Sequence, residues 1–249
     1  MSLPPLELPR VIGHRGAASY APENTLASLR EARARGATWV EFDVKLSGDG
    51  VLMLMHDDSL KRTAGLDRLA SDTSWTQIGG LDAGAWKAPR FAGLRVPSFA
   101  ETIACLGEEG LGANIEIKPS PGREAETARA TVEMLRARWP AHLPTPLLSS
   151  FQDASLAAAL EVAPEYPRAI LIDALKDDWR ARAEAVGAVG VNTNGKKLSR
   201  ARAGEIKAAG YLLSAYTIND PGLARDLTAI GVDCVITDAP DVILAALGA

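Results

Sequence analysis

Short apolar runs alternate with amphipathic stretches along almost the whole chain. Runs of strand length, rich in Val, Ile and Leu, occupy residues 10–13, 39–45, 51–56, 113–118, 147–151, 169–172, 190–193, 212–217 and 234–237. Between most of them lie Ala/Leu/Arg/Glu-rich segments with the 3.6-residue period of a helix: 25–35, 123–138, 153–162 and 199–209. Alternation of this kind builds βαβ units, hence a parallel sheet buried on both faces.

Capping residues agree with this reading. Thr25 or Asn24 caps the first helix, and Gly36 ends it. Ser199 opens a later helix that Gly210 closes, and Asn219-Asp220-Pro221 signals the start of the helix in the seventh unit. Two features break the alternation. The runs 39–45 and 51–56 are separated by Leu46-Ser47-Gly48-Asp49-Gly50, a turn signal that predicts a hairpin-like extension of the second strand. Residues 58–97 then lack periodicity and carry many Gly, Asp and Thr together with Trp75 and Trp86. A loop this long in a compact domain covers a site, so it is read as a small insertion over one mouth of the fold. Setting the hairpin strand aside leaves eight strands, which predicts a (β/α)8 TIM barrel over residues 1–249 as one domain; a doubly wound open sheet is the alternative.

Composition narrows the function. The 249 residues are 47% hydrophobic and 23% charged, with a formal net charge of −4. That balance argues against a nucleic-acid surface, which needs clustered Lys and Arg, but it leaves room for a local cationic pocket. No apolar run approaches the ~20 residues that span a bilayer, and MSLPPLELPR does not read as a signal peptide. Cys105 and Cys234 read as reduced packing residues without metal-type spacing. Together these features point to the cytoplasm without membrane insertion. Met53, Met55, Trp39 and Trp139 read as packing, His142 as a surface loop residue, and Lys196-Lys197 as a solvated loop.

In a barrel of this type chemistry gathers at the C-terminal ends of the strands. Those ends carry His14-Arg15, Glu41-Phe42-Asp43, His56-Asp57, Glu116-Ile117-Lys118, Tyr216-Thr217 and Thr237-Asp238. Glu41 and Asp43 are two apart and share a face, and Glu116 and Lys118 repeat the spacing on the next barrel strand. Three carboxylates converging on one mouth need a compensating cation or a shared proton. A hard oxygen set suits Mg²⁺, Ca²⁺ or Mn²⁺ better than Zn²⁺. His14 and His56 are the acid–base candidates, and Arg15 and Lys118 are suited to phosphate oxygens. Together these groups describe metal-assisted attack on a phosphodiester. Phe151 and Trp86 are candidates for the pocket wall. Asp57 either orients His56 or begins the insertion; Glu23 and Asn24 are candidates for orienting the site, Asn24 also for capping the helix.

His14-Arg15-Gly16, Pro22-Glu23-Asn24-Thr25, Glu41-x-Asp43, Asp49-Gly50 and His56-Asp57 together resemble the signature of the glycerophosphodiester phosphodiesterases. Ala113 to Pro119, Leu148-Ser149-Ser150-Phe151 and Gly231 to Asp238 continue the likeness over nearly the whole chain. The sequence is most similar to the bacterial cytoplasmic type that works alongside glycerol-3-phosphate uptake. The resemblance implies a barrel with a small insertion and one divalent cation, Mg²⁺ or Ca²⁺, held by Glu41, Asp43 and Glu116. It also implies His14 and His56 as general base and acid, and Arg15 and Lys118 on the phosphate. The implied reaction hydrolyses glycerophosphodiesters such as glycerophosphocholine to glycerol 3-phosphate and an alcohol. Tyr216 stands where this family often has Trp; it keeps an aromatic wall and adds a hydroxyl that bears on head-group preference. Two rival readings are a phospholipase-type phosphodiesterase on the same barrel and a non-catalytic glycerophosphodiester-binding module.

Overall fold

The computed structural model describes residues 6–249. Eight parallel strands form a closed ring: β1 (Val11–His14) and β2 (Trp39–Leu46), then β4 (Gly112–Ile117) after the short β3 (Leu52–Leu54), then β5 (Leu147–Ser150), β6 (Arg168–Ile172), β7 (Gly190–Asn194), β8 (Leu212–Tyr216) and β9 (Cys234–Thr237). β1 pairs with both β2 and β9, which closes the barrel. β3 runs antiparallel to the end of β2, with Val44 opposite Leu54. The hairpin reading of residues 39–56 and the eight-strand barrel both agree with this topology.

Helices cover the outside. α1 (Leu26–Ala34) follows β1. The segment after β3 carries two single-turn helices, α2 (Lys61–Ala64) and α3 (Trp75–Ile78), and two 3-10 turns, before α4 (Phe99–Glu109). Then come α5 (Glu124–Arg138), α6 (Asp153–Val162), α7 (Trp179–Ala185), α8 (Arg200–Ala208), α9 (Pro221–Ala229) and α10 (Pro240–Leu247). Thr25, Ser199 and Asp220 cap α1, α8 and α9 through their side chains, each accepting a backbone N–H three residues on. Asn24 does not cap α1. α4, α7 and α10 lie where the hydrophobic pattern had marked no helix.

Alternate strand residues face two different cores. Phe42, Val44, Ile115 and Ile117 pack outward on the helices, as do Val191 and Leu213 on the far side. Ile12, Trp39, Leu147, Ala169, Cys234 and Ile236 come from five strands, β1, β2, β5, β6 and β9, and plug the inside of the ring. The largest of them, Trp39, sits against Gly112 of β4, where an added Cβ would come within 2.4 Å of the indole. Glycine is therefore a packing requirement at that position.

The insertion has its own small core of Met53, Met55, Leu60, Ala64, Ala70, Ile78, Ala83 and Val96. Met53 and Met55 thus pack as read, but into the insertion rather than the barrel. Cys105 and Cys234 are buried and unpaired, and His142 is exposed on its loop. No helix among the described residues is long and apolar enough to cross a membrane.

Candidate active site

Strand register assembles the carboxylates. Glu41 lies opposite His14 of β1, and Asp43 lies opposite Glu116 of β4. Glu41, Asp43 and Glu116 are only 4%, 1% and 7% exposed, and one oxygen from each lies within 4.8 Å of the others. Burial, then the charge of Asp43, pushes the Glu116 carboxyl up to about 8, and the same two causes raise Glu41. Burial would raise Asp43 too, but Arg15 and Lys118 hold it ionised, well below the usual carboxylate range. Asp43 Oδ1 is buried without a hydrogen-bond donor. A desolvated set of three acids with an unused oxygen fits a hard divalent cation.

Two cations border this set. Arg15 adopts a left-handed backbone, φ 49°, followed by Gly16 at φ 86°; a Cβ on Gly16 would meet the Ser28 carbonyl oxygen at 2.5 Å. This tight turn at the end of β1 lets the Arg15 amide donate to Glu41 Oε2 at 3.0 Å. The guanidinium reaches Glu23 Oε1 at 2.6 Å and lies 3.3 Å from Asp43 Oδ2. Lys118 Nζ lies 2.6 Å from Glu116 Oε1 and 3.6 Å from Asp43 Oδ1. Asn24, also left-handed at φ 56°, donates to Asp43 Oδ2 at 2.8 Å and accepts the Asp43 amide at 3.2 Å. Asn24 orients a carboxylate; Thr25 caps the helix.

Each histidine is held by a carboxylate at Nδ1. Asp238 Oδ1 lies 2.6 Å from His14 Nδ1, and Asp57 Oδ1 lies 2.7 Å from His56 Nδ1. Asp57 therefore orients His56. Burial opposes a charged His14, but the Asp238 hydrogen bond and the charge of Glu41 outweigh it, and its pKa lies above 6.5. Burial depresses His56 below 6.5, with Arg15 and Lys118 reinforcing it against the attraction of Asp43.

A cavity of about 180 Å³ lies over these groups, lined by His14, Arg15, Glu41, His56, Glu116, Lys118, Phe151 and Tyr216 among others. Of the residues singled out in the sequence for the site, Asp43, Glu23, Asn24 and Asp57 do not line this cavity but contact residues that do, and Trp86 does not reach it. Trp86 lies on the insertion beside Arg62 and bonds the Ala83 carbonyl. The Phe151 and Tyr216 rings meet edge to face at 6.0 Å. Burial, then Asp173 and Glu116, raises the Tyr216 phenol, so it stays neutral. The floor includes Asn114 and Ser149 of β4 and β5.

Sequence reasoning placed Asp238 at a strand end but gave it no role, and it gave no site role to Asn219 or Arg62. Thr237-Asp238 at the last strand end carried a signal for the first. Arg62 carried none: it reaches from α2 to Glu23 at 2.7 and 2.8 Å and to Asp57 at 2.7 and 3.0 Å, tying the insertion to the loop after β1.

The model of the glycerophosphoryl diester phosphodiesterase family matches residues 14–242. The chain belongs to this family. A glycerophosphodiester phosphodiesterase of Bacillus subtilis is 30% identical over 246 residues, covering 92% of this chain and 83% of that protein. Among solved structures, a phosphodiesterase of Oleispira antarctica in complex with the product sn-glycerol-3-phosphate is 41% identical, with a TM-score of 0.94 over 97% of this chain and 98% of that one. The glycerophosphodiester phosphodiesterase of Agrobacterium tumefaciens is 28% identical, with a TM-score of 0.76 over 96% and 100% of the two chains. The stretch matched by the glycerophosphoryl diester phosphodiesterase family runs from His14, the first candidate site residue, past Asp238.

Proposed function

We propose that the protein hydrolyses glycerophosphodiesters to glycerol 3-phosphate and an alcohol, with one divalent cation, Mg²⁺ or Ca²⁺, held by Glu41, Asp43 and Glu116. One observation carries this reading: three buried carboxylates lie within 4.8 Å of one another, and two of them, Glu41 and Glu116, line one cavity with Arg15, Lys118 and two carboxylate-oriented histidines. The product-bound relative from Oleispira antarctica supports glycerol phosphate as the product. We take residues 1–249 as one functional unit, with the insertion supplying Arg62.

When bound, the cation supplies Lewis-acid polarisation of a phosphoryl oxygen. Arg15 and Lys118 stabilise the charge that grows on the phosphoryl oxygens in the transition state. His14 removes the proton from the attacking hydroxyl, either water or the substrate's own 2-hydroxyl, in which case water then opens a cyclic phosphate. The P–O bond to the alcohol breaks, and the departing oxygen takes its proton from His56.

Place supports this order of the histidines. His14 lines only the 180 Å³ cavity, whereas His56 also borders the groove next to it, where an alcohol has room to leave. In the ligand-free protein the pKa directions run the other way, His14 up and His56 down. A bound phosphate weakens part of the effect at His56, because it neutralises Arg15 and Lys118, the two cations that reinforce burial there. A pure binding module has no use for two histidines braced by carboxylates, and a cavity of this volume suits a deacylated substrate better than a phospholipid.

The test is a coupled assay that detects glycerol 3-phosphate released from several glycerophosphodiesters, with and without Mg²⁺ or Ca²⁺. His14→Ala and His56→Ala should each lose at least ~10²-fold in kcat. Near-wild-type turnover in either folded variant sinks the assignment, and full activity after exhaustive chelation removes the cation.

A further inference from the structure

A second groove, of about 470 Å³, runs on from the cavity. The two share His56, Glu116, Lys118 and Phe151 as lining, so a diester whose phosphorus sits in the first places its other ester arm in the second. The chemistry of this groove sets what that arm can be.

Lys45, two residues beyond Asp43 on β2, lines the groove with a side chain only 1% exposed. Its ammonium has three N–H donors and one hydrogen-bond acceptor among the described residues, Asp58 Oδ1 at 2.6 Å. Opposite lie Glu124, which has no ion-pair partner among the described residues and accepts only the Gly122 amide, and Gln152. The groove thus presents donors and acceptors together. Its other acids are compensated: Asp57 by Arg62, Asp58 by Lys45, and Glu116 by Lys118.

A quaternary ammonium finds no cage here. Aromatic faces are the usual means of holding such a group. The face of Phe151 already carries Lys118 Nζ, 5.3 Å from the ring centroid, and Phe151 meets Tyr216 edge to face. A polyol, by contrast, gives acceptors to Lys45 and Gln152 and donors to Glu124.

We propose that this groove binds the departing alcohol and selects polyhydroxylated alcohols, an inositol or a second glycerol, over a quaternary ammonium alcohol such as choline. The proposal rests on the phosphodiesterase reading above and adds a head-group site to it.

The experiment measures kcat/KM, with Mg²⁺ or Ca²⁺ present, for glycerophosphoinositol, glycerophosphoglycerol, glycerophosphocholine and the methyl ester of glycerol 3-phosphate. Wild type should prefer a polyol ester to the choline ester by about tenfold or more. Lys45→Met and Glu124→Gln should each lower the polyol-over-methyl ratio, by about tenfold and about threefold respectively. The ratio cancels any general loss caused by disturbing the turn that carries His56, which a merely structural role of Lys45 would produce. Glu124→Gln keeps the test open where Lys45→Met does not fold. Equal or better turnover of the choline ester, or ratios unchanged in the folded variants, overturns the head-group site alone. No turnover of any of the four diesters overturns the hydrolase reading, and this site with it.

Discussion

His14 and Asp238 join the first and last strands of the barrel through a 2.6 Å contact between Nδ1 and Oδ1. Asp238 is itself fixed: its other oxygen accepts from Asn219 Nδ2 at 2.6 Å, and its amide donates to Asn219 Oδ1 at 2.9 Å. The ring thus closes through chemistry as well as through backbone pairing. With the ionised carboxylate accepting at Nδ1, the imidazole presents Nε2 to the cavity.

Asp238→Asn should therefore keep the fold and damage the reaction. The amide fits the same space but cannot stabilise a charged imidazole, so kcat should fall by about 10–10³-fold. Asp238 raises the His14 pKa; without it, the acidic limb of the pH profile of kcat/KM moves to lower pH. A variant with unchanged kcat and an unmoved limb leaves Asp238 without a positioning role.

Arg62 should matter although it touches no candidate catalytic atom. Its fork clamps Glu23, which in turn holds Arg15, and it clamps Asp57, which orients His56. Arg62→Ala should lower kcat/KM by about tenfold with little change in Tm, because the residue is largely exposed and surface pairs contribute ~0–1 kcal/mol to stability. Arg62→Lys keeps the charge but loses the bidentate geometry and should recover only part of the activity. Full recovery in the lysine variant would show that charge alone is at work.

The three-carboxylate set gives a pH signature for cation binding. In the cation-free protein burial, then Asp43, raises Glu116 from an ordinary 4.5 to about 8. A carboxyl raised on folding favours the fold at low pH, and that contribution is lost as pH rises from about 4.5 through about 8. The chelated protein should therefore lose Tm across that interval, while the gain in Tm on adding Mg²⁺ or Ca²⁺ grows across it. Binding near pH 7 should also release a proton, visible by titration calorimetry in buffers of different ionisation enthalpy. Glu116→Gln should weaken the cation by at least about tenfold and reduce the proton release. A cation-induced gain in Tm that is flat with pH would falsify the coupling.

How much of this was legible depended on sequence distance. Strand ends were readable because a period of two places Glu41 with Asp43, and Glu116 with Lys118, on one face. The caps Thr25, Ser199 and Asp220 act within three residues, so they were readable too. The helices within the insertion were not, because α2 and α3 are four residues each, too short to show a 3.6-residue period. α7, at seven residues, shares that weakness, and Gly107 interrupts the last turn of α4. Asn24, a sequence candidate for orienting the site, reaches Asp43, 19 residues away. Arg62 on Glu23 links residues 39 apart, and nothing local in the stretch around Arg62 marks that contact. Lys45 shows the opposite failure: its spacing from Asp43 was plain, but a buried lysine two residues beyond an acid reads as an ordinary strand residue until the groove beside it is seen.

The two ends of the barrel should respond differently to mutation. Gly112 opens β4 at the end away from the site, and its missing Cβ leaves room for the Trp39 indole. Gly112→Ala forces the ring aside in a close-packed interior, which costs about 1–3 kcal/mol and lowers Tm by roughly 2–12 °C for a chain of this size. The folded fraction should keep its kcat, because the chemistry sits at the C-terminal ends of the strands. Trp39→Phe opens space at the same contact. The double variant Gly112→Ala/Trp39→Phe should then be less unstable than the two single losses added together, as expected for residues in direct contact. Additive losses in thermal melts, or a fall in kcat without a fall in Tm, would show that this pair does not set the packing at the base of the barrel.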